Sequence, residues 1–400
     1  MASQSSERQG LTHDAALDLA IRSALTVVGR TSPNPPVGAV VVRDGVVRGI
    51  GATQPPGGPH AEVVALREAG EAARGAILYS TLEPCTFHAR TPPCTAAIIG
   101  ASIRAVFYVA SDNDPRIGPG AGEVLRAAGI GVARLPDPGS TVAEMLAPFR
   151  CRIATGRPMV SVKYAMTLDG RIAAVGGDSR WVSGAEARHQ VHLLRDRVDA
   201  IMVGVGTVIS DDPELTTRLV DHWRPVRHPL RVVVDSRGRA PLGAKLFEPE
   251  MSARTLVATV APDSGWVGAL RDRGVEVEIL PADSTGRVDL PVLLKLLAGR
   301  GVNHLLVEGG SGLLGGLNDC GLIDQIQAYV APKLVGGATA PGPLAGLGVS
   351  RMAGARRFEL QRIERHGDDV LLVAMATNQP WWESDSSGTE DGEIDVHWHS

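Results

Sequence analysis

His60, Cys85 and Cys94, with Glu62 two positions after the histidine, are the residues whose types and spacing could do chemistry. They stand in Pro59-His60-Ala61-Glu62 and in the string from Glu83-Pro84-Cys85 to Pro93-Cys94. One imidazole and two thiolates make a soft donor set that suits zinc. Three protein ligands leave the fourth tetrahedral position to water, the arrangement of a catalytic rather than a structural ion. A carboxylate beside the metal and not on it is placed to move protons. That combination fits hydrolytic deamination, in which a metal-activated water attacks an amidine-like ring carbon and Glu62 carries the proton to the leaving ammonia. Any one of these residues alone reads as a surface histidine or a buried thiol. The pattern demands all four at once.

The elements that must position them follow from the flanks. Pro59 and Pro93 each precede a ligand and an apolar-periodic run. Proline suits a helix start, because the N–H it lacks would have no partner there anyway. Helices are expected over 60–69 and 94–100, which sets Cys94 at a helix N-terminus, where the dipole favours its thiolate. Residues 37–42 and 46–51 flank Arg43-Asp44-Gly45 and read as a β-hairpin. Strands 76–81 and 103–110 and a helix over 121–128 complete an α/β/α layered domain ending near residue 150.

Thr155-Gly156-Arg157-Pro158 marks a boundary. A second alternation follows, with strands expected over 160–165, 200–204, 230–235, 255–260, 275–280, 305–308 and 325–330, and a helix over 185–198. Gly367-Asp368-Asp369 reads as a final hairpin turn. Three domain spans result: 11–150, 157–377, and a tail over 378–400. In the tail Trp381 and Trp382 precede six acids with no Lys or Arg, the composition of a disordered end. His397 and His399 lie in it.

Four hundred residues exceed one ordinary core. The chain is 44% hydrophobic and 21% charged, and no apolar run nears the ~20 residues a membrane span needs. The first ten residues lack the apolar core of a signal peptide, so a cytoplasmic protein without membrane attachment is expected. Cys151 and Cys320 are then ordinary thiols. A net charge of −4 gives no electrostatic argument for nucleic acid as a partner.

In the second half, Gly204-x-Gly206-Thr207 ends a strand, and Gly309-Gly310-Ser311-Gly312 separates a strand from an apolar run. Glycines let a backbone approach a pyrophosphate, and a helix N-terminus supplies N–H donors; tight turns need glycine equally. Neither is the G-x-G-x-x-G fingerprint, which argues against a conventional Rossmann domain. Ser236 and Arg237, after another strand, could accept a 2′-phosphate or form a plain solvated turn. Arg195 and Arg218 could pair with a substrate phosphate, as any guanidinium can, and read equally as surface residues on their own.

The longer strings resemble those of the bifunctional riboflavin-biosynthesis deaminase/reductase family. They are Pro33-Asn34-Pro35-Pro36-Val37-Gly38, His60-Ala61-Glu62-Val63, Thr81-Leu82-Glu83-Pro84-Cys85 through Arg90-Thr91-Pro92-Pro93-Cys94, Lys163-Tyr164-Ala165-Met166-Thr167-Leu168-Asp169-Gly170-Arg171, Ser179-Arg180-Trp181, Asp211-Asp212-Pro213-Glu214-Leu215-Thr216 and Val307-Glu308-Gly309-Gly310. The resemblance runs from about Asp14 to about Ala376. It implies an α/β chain with a cytidine-deaminase-like domain followed by a dihydrofolate-reductase-like domain. It also implies zinc and NADPH as cofactors, a phosphorylated pyrimidine as substrate, and a homo-oligomer. Ala165, Trp181, Thr207, Asp211, Ser236 and the run Gly310, Ser311, Gly312, Leu313, Leu314, Gly315, Gly316 resemble NADPH contacts. Ser179, Arg195, Leu215, Arg218 and Glu308 resemble substrate contacts of the reductase, with Lys163 and Asp169 at its edge.

The first half departs from that family at three places. Gly49-Ile50-Gly51-Ala52-Thr53 ends in threonine where the family has histidine. Cys85-Thr86-Phe87-His88-Ala89-Arg90 carries Phe87 for a histidine and Ala89 for a glycine. The string Asp112-Asn113-Asp114-Pro115 is altered, with one extra residue before Gly120. Asn34, His88 and Arg90 are then the donors expected to hold the deaminase substrate. Two other readings follow: a paralogue with the same two chemistries on another pyrimidine- or pteridine-like compound, and a reductase with a zinc-stabilised, non-catalytic first module.

Overall fold

A computed structural model describes residues 11–88, 92–117, 120–220, 222–252, 254–377, 379 and 381–382. In order, the helices are α1 (His13–Leu25), α2 (Ala61–Ala69), α3 (Cys94–Gly100), α4 (Ala121–Ala127), α5 (Thr141–Thr155), α6 (Ala185–Arg197), α7 (Val205–Asp211), α8 (Pro249–Ser252), α9 (Ser264–Asp272), α10 (Leu290–Gly299) and α11 (Ser311–Asp319). The strands are β1 (Gly38–Arg43), β2 (Val46–Ala52), β3 (Ile77–Leu82), β4 (Ala105–Ala110), β5 (Gly131–Arg134), β6 (Met159–Thr167), β7 (Ala200–Gly204), β8 (Leu230–Val234), β9 (Thr255–Thr259), β10 (Glu276–Ile279), β11 (His304–Val307), β12 (Gln325–Ala331), β13 (Phe358–His366) and β14 (Asp369–Ala376). The chain divides into two compact units, with the boundary between Ala154 and Thr155.

The first unit holds a five-stranded sheet in the order β2-β1-β3-β4-β5. The hairpin β1–β2 turns at Asp44 and Gly45, both left-handed at φ 54° and 69°, which matches the twist of antiparallel neighbours. Strand β1 is buried along Gly38–Val42 because both its faces are covered. Ala39 and Val41 enter one apolar cluster; Val40 and Val42 enter another, with Ile77, Tyr79 and Phe107. Burial on both sides makes the α/β/α layering that the alternation predicts.

One close approach positions the candidate metal site. Strand β2 carries Gly51 where α2 crosses it, and a Cβ there would stand 2.1 Å from the Ala61 carbonyl oxygen. Only glycine lets the start of α2, and with it His60 and Glu62, lie that near the sheet.

Helix α5 extends past the expected domain end at 150 and carries Val142, Met145, Leu146 and Phe149 into the core. Pro148 inside it hides the helical period from a reading of the sequence. Trp381, expected to open a disordered tail, is 3% exposed and clusters with the first unit, so that expectation is corrected at this residue. Burying an indole outweighs the polar composition around it. Asn378, Pro380 and the acidic stretch from Glu383 with His397 and His399 lie outside the described residues.

The second unit holds a nine-stranded sheet, β10-β9-β8-β7-β11-β6-β12-β14-β13. The strands from β10 to β12 run parallel, and β14 and β13 close one edge antiparallel. Leu305 and Val307 of β11 pack on one face while Leu306 packs on the other. Every expected strand of this half is present, within a residue or two. The carboxyl ends of β7, β8 and β11 deliver α7, Ser236 and α11 to one edge, where parallel α/β sheets bind ligands.

Candidate active sites in the two units

In the first unit His60 caps α2, Cys94 is the first residue of α3, and Cys85 lies in the loop after β3. The loop is tied to α3: Thr95 donates through its N–H and its hydroxyl to the Cys85 carbonyl, each at 3.3 Å. The three ligand atoms lie within 4.8 Å of one another. His60 Nδ1 is 3.3 Å from Cys94 Sγ and 3.5 Å from Cys85 Sγ. Tetrahedral ligands bound at zinc's usual lengths stand roughly 3.3–3.8 Å apart, and both nitrogen–sulfur distances fall in that range. No fourth His, Cys, Asp or Glu joins the cluster among the described residues.

The electrostatics are those of a site that expects a cation. The Cys94 hydrogen bond, with help from His60, holds the Cys85 thiol below its ordinary range against its burial. Cys94, facing that sulfur, is pushed up, and His60 is raised by its bond to Cys85. Binding a metal would therefore release the remaining proton. Glu62 is 3% exposed, and its Oε2 has no hydrogen-bond partner. Burial, reinforced by Cys85, raises its carboxyl to about 7. A purely structural metal site has no use for a buried, half-satisfied carboxyl.

A cavity of about 460 Å³ opens over these groups. Asn34, Thr53, Phe87, Asp112 and Asp114 line it, all from strings that the sequence reading singled out, together with Glu83, Arg116 and Arg152, to which it gave no role. His88 does not line it and is exposed, and Arg90 lies outside the described residues. The Thr53 hydroxyl is spent on the backbone, accepting from Val37 N–H at 3.2 Å. Glu83 accepts from Ala121 N–H at 2.7 Å and so fixes the start of α4. Arg116 follows directly on the Asp112–Pro115 string, a signal the sequence did hold. Arg152 had none; it reaches the Pro33 carbonyl, 119 positions away, at 3.1 Å.

The second unit has a cleft of about 1620 Å³. Ala165, Ser179, Trp181, Arg195, Thr207, Asp211, Leu215, Arg218, Ser236 and Glu308 all line it, as do Lys163 and Gly310, Ser311, Gly312, Leu313, Leu314 and Gly316. Gly310 caps α11, so free N–H groups of that helix face the cleft. Gly315 is placed differently: it is absent from the lining, and a Cβ there would meet the Ala345 carbonyl oxygen at 1.9 Å. Its missing side chain serves packing of the segment at Ala345. Asp169 also stands outside the lining and holds a turn, accepting from Val335 and Gly336 N–H.

Arg195 grips Glu308 with both arms, Nε–Oε1 at 2.7 Å and Nη2–Oε2 at 2.9 Å, and donates to the Thr216 carbonyl. Lys163 stands 3.8 Å from the same carboxylate. Burial alone would raise Glu308; Arg195 and Lys163 outweigh it and hold it at about 2. Arg195 therefore meets a ligand as part of an ion pair. Ser236 Oγ accepts from Val288 N–H at 3.0 Å, with Arg237, Arg239 and Arg287 beside it in the cleft. Trp181 is 65% exposed and lies under the Arg188 guanidinium, 4.4 Å from its ring centroid. A wide basic cleft with a glycine-capped helix N-terminus fits a phosphorylated dinucleotide.

A zinc-type deaminase unit and a dinucleotide-dependent reductase unit on one chain define a bifunctional enzyme. Residues 12–110 match the cytidine and deoxycytidylate deaminase zinc-binding region, and residues 158–372 match the RibD C-terminal domain. The riboflavin biosynthesis protein RibD of Actinobacillus pleuropneumoniae is 38% identical over 362 residues, 88% of this chain and 92% of that protein. Two solved structures are similar along nearly their whole length. Acinetobacter baumannii RibD, form 2, is 34% identical with a TM-score of 0.78, covering 90% of this chain and 98% of that one. A Thermotoga maritima diaminohydroxyphosphoribosylaminopyrimidine deaminase/5-amino-6-(5-phosphoribosylamino)uracil reductase is 33% identical with a TM-score of 0.77, covering 91% and 98%.

The chain belongs to the RibD family, the bifunctional deaminase and reductase of riboflavin biosynthesis, with zinc and NADPH as its cofactors. No helix among the described residues is long and apolar enough to cross a membrane.

Proposed function

We propose that the first unit deaminates 2,5-diamino-6-(5-phosphoribosylamino)pyrimidin-4-one and that the second reduces the ribosyl group of the product to ribityl. The two activities of the Thermotoga maritima relative support this pair and its order, since the compound that relative reduces is already a uracil.

The observation that carries the reading is Glu62, buried beside three convergent zinc donors with its Oε2 unsatisfied. Zinc held by His60, Cys85 and Cys94 would lower the pKa of a water at its open position. Glu62 takes the proton of the attacking water and hands it to the departing ammonia, so the ring carbon exchanges its amine for oxygen. In the second unit NADPH would supply the hydride. The cleft orients the sugar: the Arg195–Glu308 pair and Lys163 give it a fixed set of donors and acceptors, and Arg218 offers a further cation.

Glu62→Gln tests the reading in an assay that measures ammonia release and NADPH oxidation separately. Deamination falls by roughly 10²–10⁴-fold, while zinc content stays and NADPH oxidation persists when the deaminated compound is supplied. Ammonia release at the wild-type rate would remove Glu62 from the chemistry. Wild-type protein that releases no ammonia from the named compound would overturn the substrate.

A further inference from the structure

The deaminase cavity contains an arginine whose setting the proton transfer does not use. Arg116 follows Pro115 in the short turn before α4 and lines the same cavity as Glu62 and the metal ligands. Its guanidinium is held twice. Nε and Nη2 both donate to the carboxylate of Asp114, a residue that is 4% exposed. Its flat face lies over the Phe87 ring, 4.6 Å from the centroid.

These two contacts use one edge and one face of the fork. Nη1 has no partner among the described residues, and the Arg116 side chain is 62% exposed at the cavity. Arg152 lines the same cavity and adds a second positive charge near Asp114, which helps hold that carboxyl low after the Arg116 hydrogen bond itself. A guanidinium fixed in plane, with one edge on a carboxylate and the other free, is pre-organised to take two oxygens of an anion. Phe87 contributes stiffness: a ring under the fork limits its rotation and excludes water from that face.

We propose that Arg116 is the residue through which this chain recognises the phosphate of its deaminase substrate, with Phe87 as the positioning platform that aims it. The inference rests on the function proposed above, since a ribosyl phosphate is the anion it calls for. It makes Phe87, Asp114 and Arg116 one recognition unit beside the metal site, separate from the proton carrier.

The test compares the full-length zinc-loaded enzyme with Arg116→Gln, Phe87→Leu, Phe87→Trp and the double variant Arg116→Gln/Phe87→Leu. Each is assayed on the ribosyl phosphate and on the same compound lacking the phosphate. Arg116→Gln raises KM for the phosphorylated compound roughly ten- to hundredfold, the cost of one charge-assisted contact, with kcat little changed. It leaves KM for the dephosphorylated compound where it was. Phe87→Leu raises KM severalfold and Phe87→Trp restores it, because the indole keeps the cation–π face. The double variant is no worse than Arg116→Gln alone. A KM for the phosphorylated compound unchanged in Arg116→Gln, or raised equally for both compounds, overturns the proposal. Zinc content is the folding control. If Arg116→Gln loses zinc, the Phe87 pair decides, and an unchanged KM in Phe87→Leu overturns it. Wild-type enzyme inactive on both compounds defeats the functional reading instead, a distinct result.

Discussion

At the scale of single residues, the second unit offers a clear example of a charge whose environment decides its behaviour. Glu308 is enclosed between Arg195 and Lys163, and these cations hold it at about 2 although burial pushes the other way. An unfolded glutamate titrates near 4.5. The folded pKa is thus the lower one, and the unfolded state takes up the proton first as pH falls. The pair's stabilisation is complete above about 4.5 and is lost as pH drops from there toward 2. Urea unfolding followed between pH 6 and 2.5 should show this loss in the second unit. Glu308→Gln should flatten that acid arm and lower stability at pH 7 by about 3–5 kcal/mol, because it strands buried Arg195 without its counter-charge. An unchanged acid arm in Glu308→Gln would mean that other carboxylates carry it. The convergence of His60, Cys85 and Cys94 beside a buried Glu62 was readable from residue type and spacing alone. His88 was not: its place near Cys85 in sequence made it a donor, but the loop carries it to the surface.

At the scale of elements, the approach of α2 to β2 is the contact on which the metal site depends. Gly51 sits where a Cβ would stand 2.1 Å from the Ala61 carbonyl oxygen, one residue from His60 and one from Glu62. Backbone cannot yield as a flexible side chain can. Gly51→Val should therefore push α2 outward and cost on the order of 1–3 kcal/mol from overpacking. A displacement of about 1 Å of a catalytic group can cost a hundredfold in rate. Deamination should fall at least that much, with zinc affinity, while the reduction of supplied deaminated compound is retained. Full deaminase activity in Gly51→Val would show that α2 can shift without disturbing His60 or Glu62. The hairpin β1–β2 and the strands of the second half were legible from alternation and turn residues. Helices α1 and α5 were not assigned: Pro148 breaks the period in one, and neither carries a chemical motif to draw attention to it.

At the scale of the whole molecule, the zinc donors and the deaminase cavity lie wholly in the first unit, and the basic cleft lies wholly in the second. Chelation of zinc should abolish ammonia release and lower the melting temperature of the first unit, since a ligand bound only to the native state stabilises it by mass action. NADPH oxidation with the deaminated compound should continue at an unchanged rate. Calorimetry with a parallel rate assay checks both. Loss of the reductase activity on chelation would show that the second unit needs the metal-bound first one.

Residue types and spacing by themselves determined the chemistry of the first half, whereas in the second the glycine strings left tight turns open and the family resemblance implied the NADPH chemistry. Metal ligands and a proton carrier must be particular residue types, and His60, Glu62, Cys85 and Cys94 lie close enough in sequence, around two helix starts, for the pattern to survive without coordinates. The same holds for the strands, whose apolar runs state their burial. Tertiary structure alone decided how the side chains of the deaminase cavity meet one another. Arg116, Asp114 and Phe87 meet because the turn before α4 folds over the loop after β3, and Arg152 joins them from α5. It also decided that the Thr53 hydroxyl belongs to the Val37 backbone, that Gly315 packs against Ala345 and that Trp381 is buried. A side chain's partner across the fold is set by packing between distant segments, and no local period or spacing encodes it.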